Sequence, residues 1–113
     1  MSRIYKMSFA SVYALYIAKV ERKDRTQAEL DQVILWFTGL TNSQFQKHLK
    51  SETNFEEFFG VTNIHQNASL ITGSICGVKI DEIEDPLMKK IRQLDKLVDE
   101  LAKGRPLEKI LRK

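Results

Sequence analysis

The sequence predicts an all-α fold, a single domain over residues 1–113 that forms an irregular, orthogonal bundle of about six helices. Three observations predict it: repeated helix-start signals, apolar residues at helical spacing, and no convincing pair of strands. The best-marked helix runs from Asp85 to Gly104. Asp85 suits the N-cap, Pro86 suits the first turn, and Gly104 suits the left-handed ending. Between them one apolar seam is formed by Leu87, Ile91, Leu94, Val98 and Leu101.

The first two helices are marked by both caps and periodicity. Ser8 can cap a helix that runs to about Arg22. Its apolar face holds Phe9, Val12, Tyr13, Tyr16, Ile17 and Val20. Thr26 and Glu29 have the spacing of a capping box, and the second helix that they start ends at Gly39. Its apolar face holds Leu30, Val33, Ile34 and Phe37.

Two shorter helices follow. Thr41 and Gln44 repeat the capping-box spacing for a third helix that runs to about Lys50, and Asn54 starts a single helical turn that ends at Gly60. Residues 62–68 have no clear period and are predicted to form a loop. Together with a short last helix, Leu107 to Arg112, these segments complete the predicted bundle.

Ser69 to Ile80 is the ambiguous stretch, and it can be helical or extended. Gly73 and Gly77 weaken a helix, yet Ile71, Ile75 and Val78 keep helical spacing. A strand without a partner is not stable, and no second strand is evident. The sequence therefore favours a helix here.

Composition and charge exclude several classes of protein. The chain is 42% hydrophobic and 29% charged, with a net charge of +3 that is spread evenly over its two halves. Dedicated nucleic-acid binders concentrate basic charge more strongly, so nucleic acid is not an expected partner. The longest uncharged stretch near the start, residues 7–18, is too short to cross a membrane. The single cysteine suits the cytoplasm, where thiols stay reduced.

Candidate catalytic and metal-binding residues are few. His65 and Cys76 are the only pair that suggests nucleophilic catalysis, with Asn67 as a conceivable orienting group, but no family signature surrounds them. His48 and His65 lack the companions of a metal motif. The acidic run at residues 81–85 lacks the spacing of a calcium loop and suits the start of the following helix. The sequence therefore predicts neither an enzyme nor a cofactor.

Residues 26–50 form helix, short turn and helix, which is the basis of one alternative function. In such a unit, outward-facing amides and lysines of the second helix can contact bases and phosphates of DNA. Lys47 and Lys50 supply little charge for that purpose, so weak DNA binding is an alternative only.

A protein partner, or a second copy of this chain, is the expected binding target. Trp36 lies off the main apolar face of its helix, and aromatic residues are enriched at interfaces. Met88 and Leu97 widen the seam of the long helix beyond what one neighbour covers. These three residues form the predicted interface. A second alternative is a small-ligand binder or enzyme that uses a pocket between helices, lined by Tyr13, Tyr16, Trp36 or His65.

Three strings carry a resemblance to a known family: WFTG, ICGVKIDEIEDPLM and LDKLVDELAKG. With them, nearly the whole chain resembles a small bacterial family catalogued as domain of unknown function 2200. The resemblance implies the mainly helical, orthogonal-bundle fold described in a streptococcal protein. It implies no activity, and it assigns no catalytic residue. The leading expectation is thus a non-enzymatic, cytosolic protein-interaction domain.

Overall fold

Helices dominate the computed structural model, which describes residues 3–75 and 77–112. Within those residues the chain forms six α-helices, three short 3₁₀ helices and one two-stranded sheet. The α-helices are α1 Phe9–Glu21, α2 Gln27–Thr38, α3 Asn42–Lys50, α4 Phe55–Gly60, α5 Pro86–Ala102 and α6 Leu107–Ile110. The 3₁₀ helices are Arg3–Lys6, Gln66–Leu70 and Ile80–Glu82. The predicted all-α fold class is confirmed.

The predicted capping boxes are present with both of their reciprocal hydrogen bonds. Thr26 Oγ1 accepts from the Glu29 N–H at 3.2 Å, and Glu29 Oε1 accepts from the Thr26 N–H at 3.0 Å. Thr41 and Gln44 make the same pair at 3.2 and 2.9 Å. At α5, Asp85 Oδ1 accepts from the first turn of the helix. These bonds satisfy backbone donors that a helix start would otherwise leave unpaired.

The helix predicted over Ser69 to Ile80 is wrong. The segment instead forms β1 Ser74–Ile75 and β2 Val78–Lys79, which pair antiparallel with Ile75 opposite Val78. Gly73 and Gly77 both have positive φ, +94° and +78°, which a helix does not allow. The sheet need not be stable alone, because it packs on α5, where Lys96 Nζ donates to the Ser74 carbonyl at 3.4 Å.

Phenylalanine rings fill the part of the core between α1, α3 and α4. Phe9 is fully buried and stacks on Phe58 with ring centroids 4.0 Å apart. Phe45 and Phe55 meet the ring of Phe9 edge-on, and Phe59 stacks on Phe55. Offset and edge-to-face contacts are the favoured aromatic geometries. This cluster fixes α3 and α4 against the first helix.

The seam predicted on α5 faces the same core. Of its residues, Ile91, Leu94, Val98 and Leu101 are buried and Leu87 is half-buried, and α5 contacts both α1 and α2. In the described residues no helix is both long and apolar enough to cross a membrane.

Candidate functional site

The candidate site is an open groove in which the rings of Trp36 and His65 stack. Trp36 lies near the end of α2 and is half-buried, while His65 comes from the segment that follows α4. The two ring centroids are 4.4 Å apart, with 23° between the ring planes. We call this feature the Trp36–His65 groove. It has a volume of about 440 Å³ and is lined by Trp36, Gly39, Asn63, Ile64, His65 and Gln66.

Two backbone hydrogen bonds hold the far wall of the groove against α2. The Asn63 N–H donates to the Thr38 carbonyl at 2.9 Å, and the His65 N–H donates to the Phe37 carbonyl at 3.0 Å. They pair carbonyls at the end of α2, where a helix leaves its last carbonyls free. The stacking of His65 on Trp36 therefore follows from how the chain returns across the end of α2.

Gly39 permits this return. It has φ +72°, the left-handed conformation that closes α2, and its N–H donates to the Leu35 carbonyl. A Cβ at this position would lie 2.5 Å from the backbone oxygen of Asn63. Glycine is therefore required both for the dihedral angle and for the close approach of the 63–65 segment.

Hydrogen-bond donors are the distinctive chemistry of the groove. Trp36 Nε1 is shielded from solvent and has no acceptor among the described residues. His65 Nδ1 accepts from the Asn67 N–H at 3.0 Å, which assigns the proton of a neutral ring to Nε2. Asn63 and Gln66 are exposed and add amide groups. The exposed polar groups of the groove are thus the amides of Asn63 and Gln66, while the Trp36 N–H is shielded from solvent.

The pocket predicted from Tyr13, Tyr16, Trp36 and His65 is only partly present. Tyr13 and Tyr16 are buried and do not line this groove; their hydroxyls donate to Asp31 and Asp95, each at 2.5 Å. Burial, together with the hydrogen bond to Asp31, raises the pKa of Tyr13 to about 12. Both tyrosines join helices together, so the pocket prediction is wrong for them.

The predicted interface residues have three different environments. Trp36 lines the groove. Met88 is half-buried in the first turn of α5, packs against the core, and is not part of the groove lining. Leu97 is fully buried, so its predicted surface position is wrong. The α5 seam is wider than one neighbour covers because α1 and α2 both pack on it.

The structure adds little support to the other candidate sites. Cys76 lies outside the described residues, so the expectation that it forms no catalytic pair with His65 stays a prediction. Asn67 contacts His65 through its backbone N–H. No group of three metal-ligating side chains occurs within residues 3–75 and 77–112. In the helix-turn-helix segment, Gln44 Oε1 already accepts the Thr41 N–H, while Lys47 and Lys50 are exposed.

Sequence reasoning named Trp36 and His65 among the residues of an alternative pocket but did not predict that their rings stack. They are separated by α3 and α4, and only the fold-back across the end of α2 brings them together. Gly39 was the available signal, because a left-handed glycine at a helix end often marks a close backbone approach.

These features define a mainly helical protein with an open groove beside a left-handed helix ending. Its chain belongs to the family described as uncharacterized protein conserved in bacteria, domain of unknown function 2200, whose model matches residues 3–112. The family predicted from the sequence is thus confirmed.

A solved structure shares the fold. The chain is similar to the crystal structure of the uncharacterized protein SP1917, with 45% sequence identity and a TM-score of 0.92. The match covers 98% of this chain and 93% of that one. No curated protein matches the chain. The descriptions of the family and of the solved structure assign no specific function.

Proposed function

We propose that this chain is a non-enzymatic, cytoplasmic protein-interaction domain that binds its partner in the Trp36–His65 groove. The observation that carries the proposal is the stack of Trp36 on His65 in an open groove, together with an indole N–H of Trp36 that has no acceptor among the described residues. The single Cys76, which cannot form a disulfide within the chain, supports the cytoplasmic location.

The Trp36 N–H gives an incoming partner an energetic advantage. A donor exposed to water must give up a water hydrogen bond before it binds a partner, so the net gain is small. Trp36 Nε1 is shielded from solvent and has no acceptor among the described residues. A partner whose binding turns the ring until Nε1 reaches an acceptor would therefore gain a hydrogen bond without breaking one.

The groove chemistry favours a protein segment as the occupant. Tryptophan is among the residues that dominate interface energetics, because it combines a large apolar surface with one donor. Backbone carbonyls of an extended or turn segment supply the acceptors that the groove needs. The partner we propose presents such carbonyls beside an apolar side chain that packs on the Trp36–His65 stack.

The test compares three immobilised proteins in capture from a bacterial lysate, with quantitative mass spectrometry. These are the unaltered chain, Trp36→Ala, and Leu15→Ala as the control, because Leu15 is 64% exposed on α1 and is not part of the groove lining. The proposal expects a partner that the unaltered chain and Leu15→Ala retain and that Trp36→Ala loses. Identical captures by all three proteins would contradict it.

The identified partner then allows a sharper test of the N–H itself. Trp36→Phe keeps an aromatic ring over His65 and removes the donor, so it should weaken binding about five- to tenfold. Because Trp36 is the only tryptophan, its fluorescence reports binding at the groove directly. If the partner is a second copy of the chain, light scattering gives a mass near twice 13.1 kDa, and Trp36→Ala returns it to the single value.

A further inference from the structure

A second groove, separate from the one above, lies where the C-terminal ends of α1 and α5 come together. It is lined by Lys19, Arg22, Lys23, Asp99, Ala102 and Lys103, and its volume of about 610 Å³ is the largest of the cavities described here. We call it the basic groove. It shares no lining residue with the Trp36–His65 groove.

Asp99 forms ion pairs with two ammonium groups in the basic groove. Its Oδ1 lies 3.3 Å from Lys19 Nζ on α1, and its Oδ2 lies 2.9 Å from Lys103 Nζ at the end of α5. Burial opposes the charge of Asp99, but the hydrogen bonds from Lys103 and Lys19 outweigh it and leave the pKa of Asp99 below its usual value. Asp99 is therefore ionised at neutral pH, and two positive charges from different helices are preorganised beside one another.

The lining of this groove is mostly basic. Four of the 18 basic residues and one of the 15 acidic residues line it. The lining therefore carries a formal net charge of +3. Glu21 is the last residue of α1 and Asp24 follows it closely, but neither lines the groove.

Neutralising helix dipoles does not account for so much charge. The C-terminal end of a helix carries about half a negative charge, so two ends require about one positive charge. Arg22 already serves this purpose at α1, because its Nε–H donates to the Ala18 carbonyl at 3.3 Å. Subtracting about one charge for both dipoles leaves the groove with roughly +2. Lys23 is exposed, and no carboxylate lies within ion-pair distance of it in the described residues.

We infer that the basic groove binds a phosphoryl group of a phosphate-bearing small ligand, held by Lys19, Lys23, Lys103 and the free N–H groups of Arg22. A phosphoryl group carries about −1.5 to −2 charges at neutral pH on one centre, which matches the remaining charge of the groove. Lysine ammonium groups bind phosphate as point charges, and several can converge on one group. An isolated carboxylate carries only one negative charge, so it matches the remaining charge of the groove less well. The inference does not depend on the proposed protein partner.

Binding is tested on the unaltered chain with inorganic pyrophosphate at about 50 mM salt, where surface charges are weakly screened. Calorimetry should give one site per chain. In proton–nitrogen NMR spectra, the amides of residues 19–23 and 99–103 should shift while the Trp36 indole N–H does not. Shifts spread over the whole surface, or no saturable binding, would overturn the inference. Because no substitution is needed, this measurement does not depend on a variant folding.

Two double variants with the same change in charge supply the control. Lys19→Ala with Lys23→Ala removes two cations from the groove and should raise the dissociation constant about tenfold or more. Lys47→Ala with Lys50→Ala removes two exposed cations from α3 and should change it less than about twofold if binding is local. Equal weakening by both pairs would show general charge attraction and refute the site. Binding of a hexaglutamate peptide as tightly as pyrophosphate would refute the preference for phosphate.

Discussion

Substitution of Gly39 by alanine tests the contact that forms the Trp36–His65 groove. The new Cβ would lie 2.5 Å from the Asn63 carbonyl oxygen, and alanine would have to adopt φ +72°. The left-handed conformation costs about 1 kcal/mol for a residue with a side chain. Relieving the clash requires the 63–65 segment to move away, which weakens two backbone hydrogen bonds of about 1 kcal/mol each.

The expected loss in the free energy of unfolding is thus about 3 kcal/mol. For a chain of this length each kcal/mol lowers the melting temperature by about 4 °C, so Gly39→Ala should melt about 12 °C lower. Thermal unfolding followed by circular dichroism measures the loss. Fluorescence of the only tryptophan, which lies in the groove, should also change at temperatures where the variant is still folded.

Two other glycines allow the cost of the left-handed dihedral angle to be separated from the cost of the close contact with Asn63. Gly104 has φ +90° and no heavy atom near an added Cβ, so Gly104→Ala should cost only the dihedral term, about 1 kcal/mol. Gly60 has neither constraint and ends α4, so Gly60→Ala should leave the stability unchanged or raise it by up to about 1 kcal/mol. If Gly39→Ala loses no more stability than Gly104→Ala, the reasoning about the close approach to Asn63 is refuted.

Three further predictions test other parts of the fold. The pKa of Tyr13 is raised to about 12, so its stabilising contribution is complete below pH 10 and is lost as the pH rises from 10 to 12. Urea unfolding should show a loss of about 1–2 kcal/mol over that range after allowance for solvent screening, and Tyr13→Phe should remove this part of the loss. Arg112→Met leaves buried Glu100 with the longer contact to Arg105, at 3.4 Å, as its one remaining ion pair among the described residues, and should cost about 2–3 kcal/mol. Adding Glu100→Gln should recover part of it, and failure to recover any would show that the charge is not the cause. Thr41→Ala should lower the urea midpoint by the equivalent of about 1 kcal/mol with an unchanged slope, whereas an unaltered midpoint would show that the cap of α3 is dispensable.

Local sequence signals predicted most of the helical structure correctly. The capping boxes at Thr26 and Thr41 work because their bonds join residues three positions apart, so they need no information about the rest of the fold. The Asp85 cap is of the same kind. Such signals locate helix starts well, and the seam of α5 identified the side that became buried.

Signals that depend on distant residues were the ones that failed. Ile71, Ile75 and Val78 have helical spacing, but the positive φ of Gly73 and Gly77 turns the chain into a hairpin that rests on α5. Leu97 appeared to flank the seam only because one neighbour was assumed where two pack. The stack of Trp36 on His65 depends on two hydrogen bonds across the end of α2, and no local pattern encodes them.

The links between the start of the chain and α5 have a consequence for synthesis. Tyr16 donates to Asp95 and Lys19 pairs with Asp99, while Tyr5 donates to Asp85, so each link spans about 80 residues. The ribosome makes α1 long before it makes α5, and until then the apolar face of α1 lacks one of its main covers. We therefore expect nascent chains that end before α5 to remain protease-sensitive. The domain should become resistant in one late step, once α5 has left the ribosome.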